Sequence, residues 1–487
     1  MEDAAILDSD FDDAALAIPA SKKAPPKLDR SIVEGPLTRA VWKIAWPSIL
    51  ANLVSGLQGM VDHVLVGRLI GYKANAAIGV SWQIFLVVIV FISSVFIGMS
   101  VLVARFAGAN EREKVNRTVY QGFLTAMFIS LGILAPIGYF CAPLLLRLVR
   151  ADAGVTAQAL PYLRIMFVGS GGLLIYFLLA GALRSAGDSR TPMILGVAMT
   201  VLNLVFNIIL IRGLGPIPAF GTSGSALGTC IATGLVGAYS IWRLVRGGWV
   251  VSFPKGGYAP NWRIIRQLFK FGLPAGIQGV AMNVGGVLMF YFMGTLAEAS
   301  AAQASFSVAY GQLFLLVTWS SNALMGASAA VAGQNLGAGN PERARDAVYT
   351  AARIGLTGAT FVGIFFFFFP HQLLGIFGMK DPAVVEIGVQ LLRVLSVSGL
   401  FISTALAFTG GLQGTGDTKG PLYISLISQV VLPLGSCFVI SMLTTLRPLH
   451  IWLAILAGHL TRCLLSFLRF QQGKWQSINV DIEHTKA

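Results

Sequence analysis

The sequence predicts an all-α polytopic membrane protein, with twelve transmembrane helices in two parallel six-helix repeats. Three observations support this fold class: an apolar composition, long apolar segments along the chain, and an internal repeat. Of the 487 residues, 55% are hydrophobic and only 11% are charged. A soluble protein carries about 25% charged residues, so this chain has too little polar surface to face water. Lipid is the solvent that fits such a composition.

Twelve segments are apolar over lengths that can cross about 30 Å of hydrocarbon. They are predicted at 41–70, 76–106, 119–149, 162–184, 191–212, 222–244, 264–294, 300–333, 348–378, 388–412, 421–445 and 449–472. Pro47 and Pro274 lie early in the first segment of each half. Each proline either begins its helix, where a missing donor costs little, or kinks it.

The internal repeat relates the two halves to each other. Residues 181–192 (GALRSAGDSRTP) match residues 410–421 (GGLQGTGDTKGP) at an offset of 229, and Arg164 matches Arg393 at the same offset. Because each half has an even number of predicted helices, six, it begins and ends on the same side of the membrane. The halves are therefore predicted to be related by an axis along the membrane normal, as in transporters that hold substrate between two halves.

The distribution of basic residues predicts the orientation of the chain. The formal net charge is +14, and a cytoplasmic N-terminus would place 26 of the 35 Lys and Arg on the cytoplasmic side. By the positive-inside rule both termini are predicted cytoplasmic, with the protein in a bacterial inner membrane. No polar basic domain is present, which argues against nucleic acid as a partner. The predicted divisions are a disordered cytoplasmic tail at 1–37, an N-lobe at 38–244, a cytoplasmic linker at 245–262, a C-lobe at 263–473 and a cytoplasmic tail at 474–487.

Asp62 is the clearest candidate functional residue. A carboxylate inside the bilayer costs at least about 2.5–3.5 kcal/mol, so its presence there suggests a function. Burial favours the protonated form of such a group, which enables proton exchange near neutral pH. Gln58 lies four residues earlier and shares the same helix face. A polar network that only holds helices together is the alternative.

The chain shows no pattern typical of an enzyme or of a metal site. The four cysteines contain no Cys-x-x-Cys pair, and neither His63 nor His459 has a second ligand at metal-binding spacing. No Ser/His/Asp set, His-Glu-x-x-His motif or phosphate-binding Gly-x-x-x-x-Gly-Lys loop occurs. We therefore predict no cofactor, and an ion gradient as the energy source.

Several motifs together resemble the multidrug and toxic compound extrusion (MATE) family. They are the run 333–344 (GQNLGAGNPERA), the paired Gly-Asp-(Ser/Thr)-(Arg/Lys)-x-Pro loops, and Val61-Asp62 followed by Val66-Gly67. The resemblance covers roughly residues 38–472. The major facilitator superfamily usually carries a Gly-x-x-x-Asp-Arg-x-Gly-type loop after its second helix, and residues 105–114 (RFAGANEREK) do not fit that pattern.

The resemblance implies twelve helices in two bundles, a central cavity, and export of drugs or toxic metabolites driven by a proton or sodium gradient. It places a coupling carboxylate at Asp62, within a polar site that includes Asn203, Asn207 and Thr229. Many relatives carry a second acid at the position of Asn207, so this site has one titratable group. The seventh and tenth segments lack the acids that one branch of the family carries there, which indicates the DinF-like branch.

Amide, Met and aromatic side chains in the second half are candidates for a substrate cavity, because such surfaces adapt to varied ligands. Packing within the core or against lipid is the alternative for each of them. The candidates are Gln278, Met282, Asn283, Met289, Tyr310 and Trp319.

The predicted function is secondary active antiport of drugs or toxic organic compounds, cationic or amphipathic, in exchange for H⁺ or Na⁺. The partners are small-molecule substrates and the lipid bilayer, and the chain is predicted to be a monomer. Three alternatives remain. A flippase for a lipid-linked precursor would need a cavity lined with Arg, and interior cations look too few. An intramembrane enzyme would need a nucleophile with a base, or paired acids. A channel would fail to transport against a gradient.

Overall fold

The protein is described here from a computed structural model that covers residues 28–149 and 152–480. Helices dominate these residues, and the only β-bridge found among them joins Leu214 to Ile217. Six long helical elements form the first half: Leu37–Leu69 (α1), Tyr72–Gly108 (α2), Arg112–Leu148 (α3), Ala153–Val168 with Ser170–Ser185 (α4), Arg190–Arg212 (α5) and Thr222–Val245 (α6).

Six further elements repeat this arrangement in the second half. They are Trp262–Gly294 (α7), Ala299–Gly337 (α8), Pro341–Phe368 (α9), Pro382–Thr415 (α10), Lys419–Leu443 (α11) and Pro448–Gln471 (α12). The short helices are Ser31–Glu34, Pro370–Ile376 and the 3₁₀ turn Lys474–Ser477. Within residues 28–149 and 152–480, ten elements are each long and apolar enough to span a membrane, and α4, bent by 51° between its two pieces, makes an eleventh. With α1 the halves have six elements each, as the sequence predicted.

Three spans contain a turn of π-helix. These turns are Phe128–Leu134 in α3, Ala309–Leu313 in α8 and Leu426–Val431 in α11. A π-turn inserts an extra residue into the hydrogen-bond ladder and redirects the helix. None of the three has a π-turn at the equivalent position of the other half. The two halves therefore share the order of their helices but differ in local helix geometry.

The first turns of α1 and of α7 each pack against the opposite half of the molecule. Ala40 and Ile44 of α1 lie in a buried cluster with Val331 and Val348 of the second half. In return, Leu268 and other residues at the start of α7 join the core of the first half. Pro47 and Pro274 follow these exchanged turns and lie inside their helices. Of the two alternatives for these prolines, the position inside a helix is therefore the one observed.

The repeated Gly-Asp loops cap the helices that follow them. Asp188 accepts a hydrogen bond from the main-chain N–H of Thr191 at 3.0 Å, and Asp417 accepts one from Gly420 at 3.0 Å. The glycines before them, Gly187 and Gly416, have φ angles of 99° and 105°, which favour glycine. The motif therefore starts α5 and α11, and its repetition reflects a structural need.

The halves meet tightly at one end of the molecule, which we call the closed end and define by residues 105–111 and 334–340. A Cβ on Gly108 would lie 1.9 Å from the main-chain oxygen of Gln334, and a Cβ on Gly337 would lie 2.0 Å from that of Arg105. Both pairs obey the repeat offset of 229. Two glycines therefore let α2 and α8 touch backbone to backbone.

A segment predicted as part of a disordered tail packs at the closed end, so that expectation needs correction for residues 28–37. Ile32 is fully buried, and its carbonyl accepts a hydrogen bond from Asn335 Nδ2 at 3.5 Å. The Asp29 carboxylate pairs with Lys43 of α1, and Arg343 of α9 donates to the Gly35 carbonyl. Apolar residues on one side of the Ser31–Glu34 turn cause this packing. Residues 1–27 lie outside the described residues.

The other predicted tail is also packed over residues 474–480. Trp475 is 1% exposed and stacks on Phe470 of α12, with ring centroids 5.0 Å apart. Arg105 of α2 donates from Nη2 to the carbonyl of Ile478 at 2.7 Å and to that of Thr415 at 3.5 Å. This segment therefore ties the first half to the second. Residues 481–487 lie outside the described residues.

Candidate functional site

A polar cluster joins α1, α5 and α6 inside the first half. Asn207 Nδ2 donates to Asp62 Oδ1 at 2.9 Å and to Asn203 Oδ1 at 3.2 Å. Asn203 Nδ2 in turn donates to Thr229 Oγ1 at 2.9 Å. The spacing of Asn203 and Asn207, four residues apart on α5, places both amides on one face. The structure thus brings Asp62 together with all three polar residues that the resemblance had grouped with it.

Gln58 lies one turn away and does not bond directly to this chain of contacts. Its Oε1 accepts a hydrogen bond from Thr200 Oγ1 at 2.7 Å. Thr200, Asn203 and Asn207 form a single polar stripe along α5. Thr200 was not among the residues predicted from the sequence, although its position three residues before Asn203 was a usable signal.

The Asn207 side chain holds the centre of the cluster. It is fully buried, and its Oδ1 is a buried acceptor without a hydrogen-bond partner. That oxygen points at α6, where a Cβ on Gly228 would lie 2.2 Å from it. The amide is therefore held with its nitrogen paired and its oxygen unpaired. Burying an unsatisfied acceptor carries a cost in free energy.

An aromatic side chain also lies near Asp62. The Tyr162 side chain of α4 is 4% exposed and lies within electrostatic range of the carboxylate. Across residues 28–149 and 152–480, no group of three or more His, Cys, Asp or Glu is arranged to hold a metal ion. The side chain of His63, beside Asp62, lies outside what the structure describes. The chemistry open to this cluster is therefore binding of a proton or of one small hard cation.

Two of the predicted cavity residues belong to the core of the second half, and a third lies on an exposed helix face. Met289 is 6% exposed within that core, and Tyr310 stacks on Phe306 with centroids 4.8 Å apart. Asn283 is exposed and bonds back to the Gly279 carbonyl of its own helix at 2.9 Å. For Met289 and Tyr310, packing is the role that the structure supports.

The remaining predicted cavity residues have other neighbours. The Trp319 ring of α8 covers Gly56 of α1, where a Cβ would lie 2.0 Å from the ring. Gln278 Nε2 donates to Ser425 Oγ at 2.7 Å, and Met282 on the same helix is half-buried. Gln278 Oε1 also accepts a hydrogen bond from Gln413 Nε2 at 3.3 Å.

The second half also contains a buried arginine beside a buried histidine, which sequence reasoning missed. Arg462 is 3% exposed and His459 is 2% exposed, both on one face of α12. Arg462 Nε and His459 Nδ1 are buried without hydrogen-bond partners. At the repeat offset these positions correspond to Thr233 and Cys230 of α6, next to Thr229. An arginine inside the apolar segment 449–472 was the signal, and the expectation of too few interior cations needs correction for Arg462.

A cavity of about 140 Å³ lies between the halves, above the closed end. None of the six predicted cavity residues is among those that line it. Its walls come from α2 and α4 of the first half and from α8 and α10 of the second. The lining residues are Ile97, Ser100, Val101, Gly181, Arg184, Ser185, Asn322, Met325, Gly326, Ala329, Gln413 and Gly414.

The MatE family model matches residues 47–209 and 274–439, one match in each half. The chain belongs to the MatE family, the multidrug and toxic compound extrusion family. This assignment confirms the resemblance found in the sequence motifs. Members of this family are transporters and not enzymes, and the chain is accordingly a multi-pass membrane protein.

Curated relatives match this MATE chain over most of its length. It is 28% identical to the probable multidrug resistance protein NorM of Thermotoga maritima, over 89% of this chain and 92% of that protein. It is 26% identical to the probable multidrug resistance protein YoeA of Bacillus subtilis, over 87% and 91%. It is 23% identical to the multidrug resistance protein MdtK of Yersinia pseudotuberculosis, over 91% and 96%.

Solved structures share the fold of this MATE chain. One is an outward-facing multidrug resistance MATE family transporter of the MOP superfamily, with a TM-score of 0.84 and 21% identity over 92% of this chain and 98% of that one. Another is a MOP superfamily transporter from Pyrococcus furiosus, with a TM-score of 0.83 and 21% identity over the same shares. These likenesses confirm the two-lobe, twelve-helix fold.

Proposed function

We propose that this chain is a secondary active antiporter that exports amphipathic organic compounds in exchange for protons, by alternating access between its two halves. The observation that carries the proposal is the hydrogen bond from Asn207 to Asp62. It links the candidate coupling carboxylate to α5 and, through Asn203 and Thr229, to α6. The names of the curated relatives, which are multidrug resistance proteins, support organic compounds as substrates.

Protonation of Asp62 would change the pairing of three helices. An ionised Asp62 accepts from the amide nitrogen of Asn207. A protonated Asp62 carries an O–H group, which needs an acceptor, and the unpaired Oδ1 of Asn207 supplies one if the amide rotates. That rotation would remove the Nδ2 donor from Asn203. Binding of the proton would thus switch α1, α5 and α6 from one hydrogen-bonding arrangement to another.

Substrate in the cavity between the halves would favour one of these arrangements, and the proton the other. Two ligands that bias the same pair of states are coupled reciprocally. Sodium is the alternative coupling ion. It would require the oxygens of Asp62, Asn203 and Asn207 to converge on one point. The nitrogen of Asn207 faces the carboxylate instead, which supports the proton.

We further propose a DinF-like member that works as a monomer in a bacterial inner membrane, with both termini cytoplasmic. The candidate coupling cluster lies within the first half and the cavity within one chain, so a second copy is not needed for either. The closed end would then face the cytoplasm, because the packed residues 28–37 and 474–480 lie there. The alternative of a flippase gains one observation, the presence of Arg184 in the cavity.

The test is transport of rhodamine 6G in proteoliposomes, under a pH gradient alone and then a sodium gradient alone. We expect dye movement with the pH gradient, its loss in Asp62→Asn, and its retention in Asp346→Asn, which removes an exposed acid. Both variants should be inserted and monodisperse. Undiminished pH-driven transport by Asp62→Asn would overturn the coupling mechanism. Transport under the sodium gradient alone would replace the proton by Na⁺.

A further inference from the structure

We infer that the cavity between the halves contains an oxyanion subsite at Arg184, which binds the carboxylate or phosphate group of an amphipathic substrate. The inference rests on the proposed transport function and names the substrate class for it. It differs from the expectation of cationic substrates, because the charge that the cavity offers is itself positive.

Arg184 is placed in the cavity without a counter-charge. It lies near the end of α4, and its Nε is fully buried without a hydrogen-bond partner. Among residues 28–149 and 152–480, no ion pair or side-chain hydrogen bond involves Arg184. No Asp or Glu is among the residues that line the cavity. The side chain is partly buried, and its guanidinium contacts neither a carboxylate nor a carbonyl, the partners that charges inside a protein normally have.

Arginines with a structural role in this protein look different. Arg105 donates to the carbonyls of Ile478 and Thr415, and Arg164 donates to the carbonyl of Tyr139 at 3.2 Å. Each thereby ties two parts of the chain together. Arg184 makes no such bond and stays open to the cavity, so its donors are available to a ligand.

The other polar residues of the cavity complement a bound oxyanion. Ser100, Asn322 and Gln413 line the same space and can donate hydrogen bonds. All three are neutral, so Arg184 is the charged group in this lining. The planar guanidinium can hold a carboxylate or phosphate with two parallel bonds, which gives both affinity and orientation.

A glycine on the opposite wall leaves space for the guanidinium. Gly326 of α8 faces it, and a Cβ there would lie 3.1 Å from Nη1 and 3.4 Å from Cδ of Arg184. The equivalent residue of the first half is Ile97, which also lines the cavity. The first half therefore supplies the positive charge of Arg184, and the second half supplies the space beside it at Gly326. A ligand held by Arg184 would contact both halves.

The cavity has room for a head group rather than for a whole substrate. Its volume is about 140 Å³, and apolar residues such as Met325 and Val101 form part of its wall. An oxyanion on an apolar body fits this mixture, with the charged group at Arg184 and the body along the apolar wall. A permanently cationic group placed there would be repelled by the guanidinium.

The test uses two dyes that differ in one group. Rhodamine 19 carries a free carboxylate, and rhodamine 6G is its ethyl ester. Binding is measured by fluorescence polarisation, without any gradient, for purified protein in nanodiscs of neutral phosphatidylcholine. We expect Arg184→Gln to weaken binding of the acid at least about tenfold, the range of a lost charge-assisted contact, and to leave the ester unchanged.

Control variants keep the test interpretable. Arg164→Gln removes an arginine from the same helix outside the cavity, and it should leave binding of both dyes unchanged. Arg184→Lys keeps the positive charge but not the two parallel donors, so it should weaken binding of the acid to an intermediate degree. This variant decides the question if Arg184→Gln fails to fold.

A second arm distinguishes a soluble substrate from a lipid. Dioctanoyl phosphatidic acid is added as a competitor, with dioctanoyl phosphatidylcholine as its neutral match. Displacement of the acid dye from the wild type by phosphatidic acid and not by phosphatidylcholine assigns the subsite to the phosphomonoester group of a lipid. The subsite is overturned if wild type and Arg184→Gln bind the acid dye equally and also bind phosphatidic acid equally. It is overturned as well if the wild type binds neither ligand. Loss of gradient-driven transport with Arg184-dependent binding intact counts against antiport and not against the subsite.

Discussion

Gly108 packs against the backbone of Gln334 in the same way that Gly337 packs against the backbone of Arg105. The two contacts are exchanged by the internal repeat, and both lie at the closed end. Since neither site has room for a methyl group, the contact is available only when both positions are glycine. The closed end therefore depends on two residues that have no side chain.

Replacing either glycine by alanine should open the closed end. A Cβ at Gly108 or Gly337 would lie about 2 Å from a carbonyl oxygen, so the backbones of α2 and α8 have to separate. We expect longer distances between spin labels at Arg117 and Arg345, which lie in the two halves, by double electron–electron resonance. Gly286→Ala is the matched control, because nothing lies within 4 Å of a Cβ there. Unchanged distances in Gly108→Ala would contradict this account of closure.

Replacing Asn207 by leucine should uncouple transport from the pH gradient. The substitution removes the donor to Asp62 and the link to Asn203 while keeping a branched side chain of similar shape. A hydrogen bond to a charged group contributes about 1.5–3 kcal/mol, so we expect roughly a tenfold or greater loss of pH-driven rhodamine 6G transport. Gln58→Leu, one turn away, should have a smaller effect. Equal losses in the two variants would show that Asn207 holds no special position.

The packing of residues 28–35 should depend on pH. Burial raises the pKa of Asp29, but hydrogen bonds from Lys43 and Ser31 and the charge of Lys43 outweigh it, so the pKa lies below its ordinary value of 3.8. A lowered pKa means that the folded segment is stabilised above the ordinary value and loses that contribution as the pH falls through the lowered one. The protection factors of residues 28–35 in hydrogen exchange, corrected for the intrinsic rate at each pH, should therefore fall at acid pH. In Asp29→Asn, these protection factors should already be low at neutral pH and no longer change with acid.

Replacing Trp475 by alanine should destabilise the whole protein. The side chain is 1% exposed and stacks on Phe470, and truncating a buried tryptophan costs about 3–5 kcal/mol. A lower midpoint of thermal denaturation in detergent measures this loss. Trp262→Ala serves as the control, since that side chain is 76% exposed. Similar midpoints for the two variants would mean that residues 474–480 do not stabilise the fold.

The sequence predicted the spans and the first-half cluster because the signals for both are local. An acid within an apolar segment, two amides four residues apart and a repeated loop can each be seen without tertiary information. The family resemblance then joined Asp62 to Asn203, Asn207 and Thr229 across three helices. Thr200 escaped notice because threonine is common in membrane helices and gains meaning only from its partner, Gln58.

The cavity and the packed ends could not be predicted in the same way. Arg184 belongs to a glycine-rich motif that has the composition of a loop. Its position in the cavity follows from the packing of α4 against α8. Met289 and Tyr310 have the composition of a cavity wall but face the core of the second half. Residues 28–37 and 474–480 look like polar tails because most of the partners of their few apolar residues are far away in the sequence.

The paired lining of the cavity explains an advantage of carrying both halves in one chain. Arg184 and Gln413 occupy equivalent positions of the repeat and face the same space. In an assembly of two identical half-length chains, the residue at this position would occur twice. Two guanidinium groups would then face each other across the axis, or none would be present. Fusion into one polypeptide lets evolution choose each side separately, and here it combines one positive charge with one neutral amide.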